Sequence, residues 1–511
     1  MAIPIFSDGI PVRIIFGVFL WSRNSGRRKT KLLIIQLMKT MKLYIICVVF
    51  IVSLAEAKNP GLKTRITDAG LTYASQVAIE QLSKSAKGQK IPDQSGRSGD
   101  VSYELSNVVI DSFSNPSSSI TVTADGLNWK SDGLGLSITG HFHYKYHGII
   151  PISDSGNIDV SVSRVNFNVG ISLGVDGTGR PKIASSGCSC GIGSLDVHFH
   201  GGAAWIYNLF KGVVEDALKK QLNGQLCTII DKAVNTDASQ ALAKLKVTVD
   251  IAKMFMLDYR FISKPAFNPG HFLETYHKGE VYWTDSMTEA PFDPPSMPSI
   301  SSTNKMFYIS MSDYVFNSLA YEAQIHKMLQ YNLTQKDLPA KERGFLNTTC
   351  VGTPCIGQVI PQIGKKYPNR EVAMSMSSDF SPNMSVSNGK VNVLGGGTIN
   401  MFTVQGDTFL LTLNATMTAS VLLNVKSEKI YGSISDMKLK LHVVKSNVGQ
   451  ISDTVLNFIA NTAIIAFAEP QLNKLGSNGI PLPVTNNVHF VNTEVTLVKD
   501  TLMIGTDLKY Q

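Results

Sequence analysis

Two Gly-x-Ser-x-Gly pentapeptides, Gly170-Ile-Ser172-Leu-Gly174 and Gly187-Cys-Ser189-Cys-Gly191, carry the spacing of a serine-hydrolase nucleophile. That chemistry needs a strand turning sharply into a helix, so that the serine oxygen stands clear of the chain. Ser172 instead lies within alternating apolar and polar residues that run on to the turn Asp176-Gly177, and Ser189 sits between two cysteines. Neither context suits a nucleophile. The sequence has no His-Glu-x-x-His pair and no Gly-rich phosphate loop opening a helix. The expectation is a binding protein rather than an enzyme, with no resident cofactor and no catalytic residue.

His141, His143, Lys145 and His147 alternate along Ile138 to His147 and so share one face of a strand. They bring one permanent charge and three imidazoles, which gain charge between about pH 8 and 5. This face is a candidate for anionic groups, attracting them more strongly as pH falls. An ordinary solvated face is the plainer reading. A metal site on the three histidines is a third, disfavoured because a row of alternating histidines seldom completes a coordination sphere, and no metal is expected. His198 and His200 repeat the pattern.

Met41-Lys42, the apolar run Leu43 to Leu54 and Ala55-Glu56-Ala57 have the basic start, short apolar core and small residues of a signal peptide, with cleavage predicted after Ala57. The run is too short to span a bilayer. Residues 1–40, which hold the basic cluster Arg23, Arg27, Arg28 and Lys29, read as an upstream extension, and residues 41–57 as the signal peptide. A secreted, extracellular protein follows, beginning at Lys58.

Secretion makes disulfides the expected use of the five remaining cysteines. Cys350 and Cys355 can close a small loop, while Cys227 can pair with Cys188 or with Cys190, leaving one thiol over. Acceptor sequons stand at Asn332, Asn347, Asn383 and Asn414, all in the second half, and predict glycosylation there. The formal charge of +8 is mostly leader, since residues 1–57 hold eight basic and two acidic residues. The mature halves carry 22 basic against 23 acidic residues over 58–300, and 17 against 14 over 301–511. Neither half is cationic enough for nucleic acid to be a partner.

The elements that must position these groups are long strands and a few amphipathic helices. Val165, Phe167, Val169, Ile171, Leu173 and Val175 alternate in one phase, and Ile158, Val160 and Val162 in the other, so a bulge is predicted near Ser163-Arg164. Ile206, Leu209, Phe210, Val213, Val214 and Ala217 mark one helix face; Leu71, Ala74, Ala78 and Leu82 mark another within residues 68–82. A C-terminal helix is expected from about residue 449 to 475. Ala290-Pro-Phe-Asp-Pro-Pro-Ser-Met-Pro298 breaks both periodicities, placing a linker at 288–304 between domains 58–287 and 305–511. Gln221-Leu222-Asn223 and Gln471-Leu472-Asn473, each following an apolar helix, hint at duplication.

The mature start, Asn59-Pro-Gly-Leu-Lys-Thr-Arg-Ile-Thr67, with Gly70-Leu-Thr-Tyr-Ala-Ser-Gln76 and Ile91-Pro92, resembles the bactericidal/permeability-increasing and lipopolysaccharide-binding protein family. Further matches run in order: Cys188 with Val197-His198, Trp205 to Phe210, Asn223 to Cys227, Ser312 to Asn317, Lys365 to Asn369, and Pro481-Leu-Pro483. The resemblance implies an α+β fold: an elongated boomerang of two similar barrels, with curved antiparallel sheets and long helices, joined by a central sheet. It also implies a Cys188–Cys227 disulfide and an apolar pocket for phospholipid chains in each barrel. Leu71, Ala74 and Ala78 with Ile206, Phe210 and Val213 are the candidate lipid contacts. Val77 and Ser83 depart from the family's N-terminal signature, and the histidine strand falls where endotoxin-binding relatives carry several Lys and Arg.

The expected function is therefore that of a secreted protein binding lipopolysaccharide or related amphiphiles, with phospholipid in its pockets, in innate antibacterial defence. Its partners would include a membrane or lipid-particle surface. The alternative is an extracellular phospholipid-transfer protein without bactericidal activity, which the near-neutral first half favours.

Overall fold

The structure, a computed structural model, describes residues 59–510 apart from 115–116, 202–203, 252, 388, 427, 465–468 and 483–486. The predicted signal peptide and the upstream extension lie outside the described residues. Strands dominate, in two seven-stranded antiparallel sheets, one from each half of the sequence, a six-stranded sheet shared between the halves, and a three-stranded sheet.

In the first half the strands Val101–Phe113, Leu127–Tyr146, Ile152–Val175 and Pro181–His200 lie side by side, their apolar residues turned to one face. The bulge predicted at Ser163-Arg164 is present. Leu134 pairs with Val165 but Leu136 with Val162, and Arg164 takes a φ of 55°. The extra residue lets Val162 and Val165 both point inward and bends the strand.

Against this sheet lie helix α1 (Asp68–Ala86) and the 29-residue helix α2 (Ala204–Lys232). Besides Tyr207, the buried residues of α2 are Ile206, Phe210, Val214, Leu218, Leu222, Leu226 and Ile230, every fourth position without a break. Four residues advance about 40° beyond a full turn, so this row winds slowly round the helix as the curved sheet wraps it.

In the second half the strands Val372–Ser378, Lys390–Thr403, Thr408–Lys426 and Lys429–Ser446 form the corresponding sheet. Within the expected C-terminal helix, the described residues are helical over Asp453–Ala463 (α3) and Glu469–Gly476. Helix α3 covers the open edge of Lys429–Ser446. Asp453, Asn457 and Asn461, four residues apart, accept from the backbone N–H of Val443, Leu441 and Leu439 at 3.1, 2.6 and 2.9 Å. The two asparagines also donate to the Leu441 and Leu439 carbonyls at 2.9 and 2.7 Å. Side-chain amides thus take the place of a further strand, satisfying an edge that would otherwise be buried without partners.

The shared sheet orders its strands Ala266–Asn268, Phe272–His277, Leu62–Thr67, Phe307–Ser312, Thr501–Tyr510 and Val488–Val498. Residues 287–306 contain no helix or strand and are strapped along Leu62–Thr67 by alternate side chains. Asn59 donates to Pro294 O at 3.2 Å, Arg65 to Ile300 O at 2.6 Å, and Thr67 to Lys305 O at 2.7 Å. Arg65 is 5% exposed, ion-paired with Glu274 at 2.7 Å and stacked over the Phe272 ring. Glu280 fixes the beginning of the strap by accepting from Ala290 N–H at 2.6 Å.

Candidate functional site

A cavity of about 740 Å³ opens in the second half. Its strand wall is built from side chains two apart, Met374 and Met376, Ile399 and Met401, Leu439 and Leu441, each pair pointing to the same face by strand geometry. Leu456, Phe458, Ile459 and Ala460 of α3 form one side, and Leu338, Phe345, Pro354, Ile356 and Ile360 close it from above. Lys341 and Glu342 stand in its lining as charged groups. Volume, shape and apolar lining match a site for a hydrocarbon ligand, with polar groups left to fix its head.

The first half is packed differently. Ile206 and Phe210 are buried at one end in a cluster of Phe142, Tyr144, Phe199 and Tyr207, whereas Leu71 and Ala78 belong to another cluster with Trp129, Phe167 and Val169. Between the clusters, Leu82, Phe113, Leu134, Val165, Phe167, Cys190, Leu226, Ile229 and Ile230 enclose only about 10 Å³. The six nominated lipid contacts are therefore not one site. Val213 is 40% exposed and Ala74 is exposed as well, so neither lies in these clusters. The cause is the four-residue row on α2, which turns Ile206, Phe210 and Val214 inward and leaves Trp205, Leu209 and Val213 outside. On α1 the inward position is Ser75, whose hydroxyl donates to Thr72 O and Ser118 O.

The residues lining this cavity lie mostly on strands, which the helix periodicity marking the first-half candidates does not reach. Their signal in the sequence is the alternation of Met374/Met376, Ile399/Met401 and Leu439/Leu441 along strands.

His141, His143, Lys145 and His147 all point outward, while Phe142 and Tyr144 between them are buried. Glu104 lies beside His143 on the next strand, His143 and His147 bond Ser153 and Ser102 at 3.0 Å, and His200 pairs with Asp159 at 2.7 Å. Disulfides join Cys188 to Cys227 and Cys350 to Cys355. Cys190 is free, its Sγ 2.9 Å from that of Cys227, and burial pushes its thiol up to about 11. Those three cysteines are a group close enough to hold a metal, but two of them are spent in the disulfide. Of the sequon asparagines, Asn332, Asn383 and Asn414 are exposed; Asn347 is half-buried and accepts from Gln335 at 2.6 Å.

Ser172 donates to Ala184 O within a strand, and Ser189 also lies within one, so neither stands at a strand-to-helix turn. Among the described residues no helix is long and apolar enough to cross a membrane. Curved sheets carrying helices, an apolar cavity and serines without a catalytic setting define a protein that holds apolar ligands. Comparison with known proteins makes the class specific.

The sequence matches the N-terminal domain of the LBP / BPI / CETP family over residues 70–239 and the C-terminal domain of that family over 249–510. It is 30% identical to a bactericidal permeability-increasing protein of Sebastes schlegelii, covering 88% of this chain and 96% of that protein. It is 27% identical to a lipopolysaccharide-binding protein of Mus musculus, over 88% of this chain and 94% of the relative. A crystal structure of lipopolysaccharide binding protein superposes with a TM-score of 0.61 at 25% identity, covering 88% of this chain and 99% of the other. The chain belongs to the LBP / BPI / CETP family. It is a lipid-binding protein and not an enzyme.

Proposed function

We propose that this protein is a secreted binder of lipopolysaccharide or related amphiphiles that acts in innate defence, and that the second-half cavity takes the ligand's acyl chains. The observation that carries this reading is the 740 Å³ apolar cavity with Lys341 and Glu342 as the charged groups in its lining. Each methylene moved from water into such a lining contributes about 0.8 kcal/mol, so a single long chain is enough to hold a lipid firmly. The relatives named for lipopolysaccharide binding and bacterial permeability support the ligand class.

Phospholipid transfer without bacterial killing is the second reading, favoured by the first-half histidine strand, where one lysine supplies the only permanent positive charge among the four outward residues. Glu104 and Asp159 on neighbouring strands offset part of any charge gained there. Lipopolysaccharide binding and vesicle-to-vesicle phospholipid transfer, measured side by side at two salt concentrations, separate the two. Tight, salt-sensitive endotoxin binding selects the first; transfer without it selects the second. Stronger binding to anionic vesicles at pH 5.5 than at pH 7.5, lost when the three histidines are replaced, is expected of the histidine face, and equal binding at both pH values refutes that role.

A further inference from the structure

Three apolar side chains stand in solvent around the second-half cavity. Val351 is 82% exposed, within the six-residue ring closed by Cys350 and Cys355. Its ring neighbours Thr353 and Pro354 line the cavity, and the short helix Ile356–Val359 that follows packs against α3. Phe458 on α3 is 76% exposed although it also lines the cavity, and Val455, one turn before it on the same helix face, is 50% exposed. Exposed apolar groups of this size gathered at the entrance to an apolar space mark an interaction surface rather than scattered surface residues.

We propose that this rim docks on a lipid surface, with Val351 and Val455 entering its outer layer beside the cavity mouth so that a lipid passes into the cavity without crossing water. The inference rests on the reading of the cavity as an acyl-chain site. A lipid surface, rather than a protein, is the occupant because the rim is continuous with a space that only a hydrocarbon ligand suits, and that ligand resides in such surfaces. The disulfide holds Val351 in place at the edge while Cys355 itself is fully buried, so the valine is presented on a rigid mount. In the first half of the sequence Ile149 and Ile150 are exposed as well, at 104% and 73%, but neither is among the residues lining the small space described above.

The test compares the full-length protein with a Val351→Ser/Val455→Ser variant, neither residue being part of the cavity lining. Co-sedimentation with phosphatidylcholine vesicles is expected to fall at least fivefold, while loading with detergent-dispersed phosphatidylcholine, read by mass spectrometry of the intact protein, stays unchanged. An Ile149→Ser/Ile150→Ser variant serves as the control and is expected to keep most vesicle binding. Undiminished co-sedimentation of the valine variant, or loss confined to the isoleucine variant, overturns the proposal. Failure of both proteins to load detergent-dispersed lipid contradicts the cavity reading instead.

Discussion

Arg65 owes its burial to three partners from different parts of the chain: Glu274, the Phe272 ring and the carbonyl of Ile300. Replacing it by alanine strands the Glu274 carboxylate and frees the strap, and an Arg65→Ala variant is expected to lose about 3–5 kcal/mol in denaturant unfolding. His277 is a second buried group with a defined state. Burial lowers it to about 4, so the ring is neutral near pH 7; its Nδ1–H donates to Tyr259 O at 2.8 Å, which leaves Nε2 to accept from the Thr275 hydroxyl at 2.7 Å. Between about pH 6.5 and 4 the unfolded chain takes up a proton that the folded chain refuses, so this residue removes stability as pH falls through that window, by up to about 3 kcal/mol. Asp313 works the other way, since burial near Asp500 raises it to about 6 and folding then favours its protonated form below that pH. Subtracting the stability profile of a His277→Gln variant from that of the native protein isolates the first effect; a flat difference between pH 4 and 7 would contradict it. Of these three residues, Arg65 and Asp313 were legible in the sequence, and only as letters of a family signature. That the signature fastens a linker became visible once the Ile300 carbonyl was in place. Gly70 reads the same way, because a Cβ there would run into the Met306 carbonyl.

At the scale of elements, strand periodicity located the bulge at Ser163-Arg164 because a change of apolar phase has no other simple cause. The helices were harder to orient. An apolar row that repeats every fourth residue drifts across the faces of an ideal helical wheel, so Val213 fell on the predicted inner face although Val214 occupies it. The polar row of α3 went unread for a related reason. Asp453, Asn457 and Asn461 resemble a solvated face, but they serve the backbone of Leu439, Leu441 and Val443. An Asn457→Ala/Asn461→Ala variant leaves both N–H and C=O groups of two residues unpaired. We expect a loss of roughly 1–3 kcal/mol per site and faster amide exchange at Leu439 and Leu441. Unchanged exchange there would mean that the edge finds other partners. Glycosylation belongs to this scale as well: peptide mapping should find glycans at Asn332, Asn383 and Asn414, and least at Asn347, whose neighbour Thr348 is buried with its hydroxyl bonded to Tyr367 O.

For the molecule as a whole, the two halves build similar sheets around described spaces of different size. Both halves build a seven-stranded sheet carrying helices; in the first, Leu226, Ile229, Ile230 and Phe167 line a space of about 10 Å³, while the second keeps about 740 Å³ between its sheet, α3 and the Cys350–Cys355 loop. Residues 58–300 and 301–511 are each close to neutral, leaving apolar burial as the main source of affinity. Mass spectrometry of the intact protein, released from a secreting cell and kept folded, tests this most directly. The native chain should carry the added mass of a lipid, and a Met376→Trp variant, whose ring fills the cavity, should carry at least severalfold less while remaining folded. A native protein without bound lipid, or a variant that retains the same amount, would contradict the account.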